Sequence, residues 1–115
     1  MPMDFDEYQE KARKTAIYPE GSRVTYPALG LAGEAGEVCE LIKKSIRDGV
    51  VEPDGRRASV IDATKVALEL GDVLWYVAAL AGDLGLSLGD IATMNIAKLG
   101  SRAERGVLTG SGSDR

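Results

Sequence analysis

Between Val73 and Ala81 the chain carries nine consecutive apolar residues, Val-Leu-Trp-Tyr-Val-Ala-Ala-Leu-Ala. This is about half the length a bilayer-spanning helix requires, so the run has to find its apolar surroundings in protein. It lies within a longer segment of helical spacing, from about Val60 to Leu84, that is apolar around most of its circumference from Val73 onward. A helix of that kind needs neighbours on several sides. Helical spacing recurs along the chain while sustained period-two alternation is missing, so the expected fold class is all-α, a four-helix bundle-like arrangement.

The remaining helices follow from local signals. The first is predicted from about Asp4 to Ala16, stopping at Tyr18-Pro19 because a residue before proline is pushed out of the α region. The second is predicted from Pro27, a favoured first-turn residue, to Arg47, where Asp48-Gly49 supplies a stop. Pro53-Asp54-Gly55 marks an exposed connection over 50–57 without an expected function. Ser87-Leu88-Gly89-Asp90 resembles a capping box opening a fourth helix that runs to about Glu104. At 115 residues the chain holds one modest domain, 1–105, followed by a Gly/Ser-rich tail, 106–115.

Charge and composition remove several functions. A net charge of −4 is a poor match for a nucleic-acid backbone, which demands a basic footprint. The single Cys39 forms no internal disulfide, and the residues from Met1 to Glu7 have neither the basic start nor the apolar run of a secretory signal. A cytoplasmic protein without membrane or nucleic-acid partners is expected. The chain has no histidine, so a general base or metal ligand must come from carboxylates, amines, phenols or Cys39.

The acids fall where they should not. At about 100° per residue, Glu34, Glu37, Val38 and Leu41 share one arc of the second helix, which places two glutamates within its apolar face. In the third helix Glu69 and Asp72 repeat the i, i+3 spacing on the arc of Val73, Tyr76 and Leu80. Glu40 lies at the edge of the first arc, an additional ligand or half of an ordinary ion pair with Lys44. Brought together, such groups repel: at about 4 Å and an effective dielectric of 20, each ionised pair costs on the order of 4 kcal/mol. Protons or cations must compensate. An all-oxygen donor set selects a hard octahedral ion, Mg²⁺ or Mn²⁺ in its place, and Mg²⁺ held this way shares its remaining positions with phosphate oxygens.

Other residues fit a polyphosphate ligand. Gly33, Gly36 and Gly71 beside the acids each cost roughly 1 kcal/mol against alanine in a helix, which predicts close packing of backbone around the site. In the fourth helix the stripe of Leu88 and Ile91 becomes polar and basic at Asn95, Lys98 and Arg102. These suit phosphate and sugar contacts, with arginine able to grip phosphate in a bidentate manner, although cations also occur in the last turn of any solvated helix. Tyr76, and Trp75 beside it, could stack on a nucleobase or serve the core.

Three segments carry a family resemblance: Leu31-Ala32-Gly33-Glu34-Ala35-Gly36-Glu37-Val38-Cys39-Glu40-Leu41, Glu69-Leu70-Gly71-Asp72-Val73-Leu74-Trp75-Tyr76 and Asn95-Ile96-Ala97-Lys98-Leu99. Over about residues 8 to 105 the chain resembles the MazG-like all-α nucleoside triphosphate pyrophosphohydrolases. The resemblance implies hydrolysis between the α and β phosphates, with Glu34, Glu37, Glu69 and Asp72 binding Mg²⁺ and Asn95 and Lys98 contacting the nucleotide. Tyr76 stands where related enzymes place an aromatic near the sugar and base. Glu37 is the expected general base, as a carboxylate not saturated by metal. The family's dimers and tetramers imply a homodimer or homotetramer here, which agrees with the apolar third helix. Arg102, Arg105 and the Gly-Ser-Gly tail depart from the compact basic ending of many relatives. Two other readings stand beside this one: a phosphoribosyl-ATP pyrophosphohydrolase, which shares fold and carboxylates, and a non-catalytic helical interaction module stapled by metal.

Overall fold

The computed structural model describes residues 2–49 and 63–106. Among these residues four helices follow one another: α1 (Phe5–Arg13), α2 (Thr25–Arg47), α3 (Ala63–Asp83) and α4 (Leu88–Glu104), with a 3₁₀ turn at Glu20–Ser22 before α2. There is no strand among the described residues, and the fold is all-α as expected. The predicted connection over 50–57, the start of the third helix before Ala63 and the tail beyond Gly106 lie outside the described residues.

Helix α1 opens on Asp4, whose carboxylate accepts the Glu7 N–H at 2.8 Å. It ends three residues before the predicted Ala16. The last turn tightens to i→i−3 bonds at Lys14, Thr15 and Ala16, and the Thr15 hydroxyl donates to the Ala12 carbonyl at 2.7 Å. Helix α2 begins two residues earlier than predicted, at Thr25. Pro27 therefore sits in the third position, still within the first turn, where its missing N–H has no intrahelical partner to lose.

Helix α3 closes on Gly85, at φ 74°, with Leu86 N–H bonded to Ala81 O at 2.8 Å and Gly85 N–H to Gly82 O at 3.0 Å. This six-to-one and five-to-two pair ends the helix in a left-handed residue that glycine adopts without steric cost. The chain then turns through 102° into α4. Ser87 caps α4 as its motif predicts, accepting the Asp90 N–H at 3.1 Å while donating to Asp6 of α1 at 2.8 Å.

Helix α3 is the centre of the assembly, flanked by α2 along its length and by α1, with α4 resting on α1 and α3. Gln9 ties these elements together, donating to the Ala78 and Leu86 carbonyls and accepting the Leu88 N–H. The core is small. Ala78, Ala79, Ala81 and Leu88 are its buried apolar side chains among the described residues, joined by Pro27. Leu29, Leu68, Leu70, Met94 and Ile96 remain more than half exposed, so α2, α3 and α4 each keep apolar surface that this chain does not cover. No single described helix is long and apolar enough to cross a membrane.

Candidate active site

Helices α2 and α3 pack so that their acid-bearing arcs face one another. Glu34 of α2 and Glu69 and Asp72 of α3 each offer a carboxylate oxygen, and the three oxygens lie within 4.8 Å of one another. Glu34 and Glu69 are half-buried and Asp72 is exposed. Partial burial comes first among the causes that raise Glu34 above its ordinary value; the Asp72 charge, a hydrogen bond and charge from Glu69, and the Glu37 charge follow in the same direction. Glu34 is therefore harder to ionise than a solvated glutamate.

These acids open onto a cleft of about 330 Å³ lined by Thr15, Glu34, Asp72, Trp75 and Tyr76. Its aromatic wall is a connected set. Trp75 and Tyr76 meet edge to face with centroids 5.0 Å apart, Tyr18 stacks on Tyr26 at 4.7 Å, and Tyr18 meets Trp75 edge-on at 6.5 Å. The Trp75 indole N–H donates to the Thr15 hydroxyl at 2.8 Å, which fixes the ring against the strap after α1. Burial, then the Tyr26 hydroxyl and the charges of Glu34 and Asp72, raise the Tyr76 phenol and keep it a neutral donor. Tyr8 of α1 is also raised, by burial and then by Asp72.

The other predicted residues are placed differently. Glu37 is exposed and outside the group of three oxygens, although its charge is felt at Glu34. Glu40 pairs with Lys43 at 2.7 Å and more loosely with Lys44 at 4.0 Å, and it stands apart from the cluster. Asn95 and Lys98 line a separate cleft on α4 with Ile91 and Met94. Arg102 is 4% exposed, enclosed where the basic stripe predicted a guanidinium open to phosphate. The glycine expectation is corrected: among the described residues, a Cβ at Gly33, Gly36 or Gly71 would meet nothing within 4 Å. Close approach occurs instead at Gly30, where an added Cβ would overlap the Tyr76 ring.

Sequence reasoning missed Tyr8, Thr15 and Tyr18 ahead of α2 and Tyr26 in its first turn. Their signal was scarcity. The chain has six aromatic residues, and all four tyrosines and the one tryptophan gather at or beside the acids.

An acid triad on two adjacent helices next to an aromatic cleft agrees with the comparison to protein families, in which the MazG nucleotide pyrophosphohydrolase domain matches residues 25–107. The chain belongs to the MazG family. The matched stretch contains every acid of the cluster and begins after α1 and the strap that follows it, which supply Tyr8 and Thr15 from outside it. Among curated proteins the chain is 42% identical to the Gene 37 protein of Mycobacterium phage L5 over 123 aligned positions, covering 98% of this chain and 100% of that protein. No solved structure matches the chain. As a MazG domain, the chain has the fold of a nucleotide pyrophosphohydrolase.

Proposed function

We propose that the protein hydrolyses ribo- or deoxyribonucleoside triphosphates between the α and β phosphates in a Mg²⁺-dependent reaction, releasing a nucleoside monophosphate and pyrophosphate. Such an activity serves nucleotide-pool control or removal of non-canonical nucleotides. The observation that carries this reading is the triad of carboxylate oxygens, within 4.8 Å of one another, at the edge of an aromatic cleft on a MazG domain.

The donor set fits the ion. At about 2.1 Å per bond, octahedral ligands span roughly 3 to 4.2 Å, so Glu34, Glu69 and Asp72 need only a small contraction to hold Mg²⁺ or Mn²⁺. When bound, the cation supplies charge neutralisation for the triphosphate and acidifies a water. Glu37, one turn from Glu34 and outside the triad, is free to take the proton of the attacking water. Trp75 and Tyr76 hold the sugar and base beside the phosphates, and Thr15 keeps the indole in place.

Asn95 and Lys98 line their own cleft, and apolar side chains stay exposed on α2, α3 and α4. A homodimer or homotetramer answers both, by covering Leu68, Leu70, Met94 and Ile96 and bringing one subunit's Asn95 and Lys98 to another's phosphates.

The deciding experiment is product analysis with a panel of nucleoside triphosphates, with Mg²⁺ and with EDTA. Pyrophosphate and monophosphate released only with Mg²⁺ is the expected result. Orthophosphate and diphosphate as products would remove the assignment; turnover confined to phosphoribosyl-ATP would transfer it to that substrate, and metal-dependent stability without turnover would indicate an interaction module.

A further inference from the structure

Asp83, the last residue of α3, lies about three turns beyond Asp72 on the same helix. Its side chain has no exposed surface. It accepts hydrogen bonds from the Tyr18 hydroxyl at 2.7 Å, the Val24 N–H at 2.9 Å and the Arg13 guanidinium at 3.0 Å, and the Arg23 guanidinium stands 3.7 Å away. These donors come from separate places: the end of α1, the strap that follows it, and the entry to α2. One carboxylate therefore fixes where the whole segment from Arg13 to Val24 lies.

Two details show how closely the arrangement is fitted. Val24 has φ 68° and ψ −55°, the centre of a strained γ-turn closed by Thr25 N–H on Arg23 O at 2.8 Å that a β-branched residue seldom takes, and its own N–H is one of the groups Asp83 binds. The Arg13 guanidinium reaches Asp83 across Gly82, where any Cβ would collide with it. The segment so held is also the outer support of the cleft: Thr15 lines it and receives the Trp75 N–H, while Tyr18 meets Trp75 edge-on and stacks on Tyr26.

The geometry points to Asp83 as a positioning residue for the nucleotide site, acting through Tyr18 and the strap on the Trp75 wall. This rests on the proposed nucleotide reaction. Asp83 touches neither the acid triad nor the cleft, so its effect is on how firmly the nucleoside part is seated and not on the cleavage step. Tyr18 is the link that can be cut alone.

The test compares the full chain with its Asp83→Ala, Asp83→Asn and Tyr18→Phe variants. With Mg²⁺ and a nucleoside triphosphate that the wild type cleaves, KM is expected to rise roughly five- to tenfold in Asp83→Ala and Tyr18→Phe while kcat stays within about twofold. Asp83→Asn keeps an oxygen acceptor for Val24 and Tyr18 and is expected to fall between Asp83→Ala and wild type. Trp75 is the single tryptophan, so its emission also reads binding without turnover. Titrated with an α,β-imido nucleoside triphosphate, the variants should weaken by the same factor, and with inorganic tripolyphosphate they should not weaken at all.

Tyr18→Phe removes one hydroxyl and keeps the question open where Asp83→Ala does not fold. Unchanged nucleotide affinity in folded Tyr18→Phe would overturn the assignment, as would equal weakening toward tripolyphosphate, the mark of a purely structural clamp. A wild type that cleaves no nucleotide would sink the proposed reaction, while the emission titrations would still decide the role of Asp83.

Discussion

Helix α3 carries two acidic centres built on opposite terms. At its C-terminal end, burial pushes the Asp83 carboxyl up, and the Val24 N–H, Tyr18 and Arg13 outweigh it to hold the group below its ordinary value. Toward its N-terminal end, Glu69 and Asp72 meet Glu34, and there both burial and neighbouring charge drive Glu34 upward. The difference lies in the supply of donors. A carboxylate with hydrogen-bond donors on every side is finished as a piece of structure, whereas acids gathered without donors leave the charge that a cation from solution would relieve.

Substitution should separate the two centres most sharply. On the proposed reaction, Asp72→Asn is expected to lower turnover by about two to three orders of magnitude, because it removes one of the three carboxylates proposed to hold the cation. The same change should leave the metal-free melting temperature equal or higher, since it removes a repelling charge. Asp83→Ala is expected to do the reverse, costing about 3 kcal/mol of stability in thermal or urea unfolding by leaving Arg13 and the Val24 N–H without their acceptor. If both variants lost stability alike, the distinction between the centres would be wrong.

The pH response should differ in sign. Glu34 has a folded value above its ordinary 4.5, so its contribution to metal-free stability is full below that value and is lost as pH rises through the raised one. Asp83 sits below its ordinary 3.8, so its contribution is present above that value and is lost as pH falls through the lowered one. Melting curves from about pH 3 to 7 without metal should therefore flatten on the alkaline side in Glu34→Gln. Adding Mg²⁺ near neutral pH should raise the wild-type melting temperature and leave Glu34→Gln little changed. The smallest effect is expected from Gly30→Ala, about 1–2 kcal/mol of stability from overlap with Tyr76, without any change in metal affinity.

How much of this is legible in the chain depends on whether the relevant partners are local. The i, i+3 spacing of Glu69 and Asp72 is a property of one helix, and so is the Ser87 cap, so both can be read from a few neighbouring residues. Asp83 is different. Its partners lie 59 to 70 residues away, and in the sequence it is an acid at a helix end like any other. Gly30 and the trio Gly33, Gly36 and Gly71 share one chemistry, and only the packing of α2 on α3 tells which of them meets a ring. Arg102 follows the same rule: helical phase puts it in a basic stripe, and its burial depends on what folds over α4. The early end of α1 reflects a competition between the Thr15 hydroxyl and helical bonding that no periodicity records.

The contact between Gly30 and Tyr76 gives the cleft an unusual kind of adjustability. A hydrogen atom on α2 is the only side chain in that spot, and the space it leaves is occupied by a ring from α3 that also forms the cleft's wall. Position 30 therefore acts as a gauge for the room beside the acids: each carbon added there displaces the tyrosine and reshapes the cleft from behind. Lineages of this fold could thus reshape the cleft by a single substitution behind its wall.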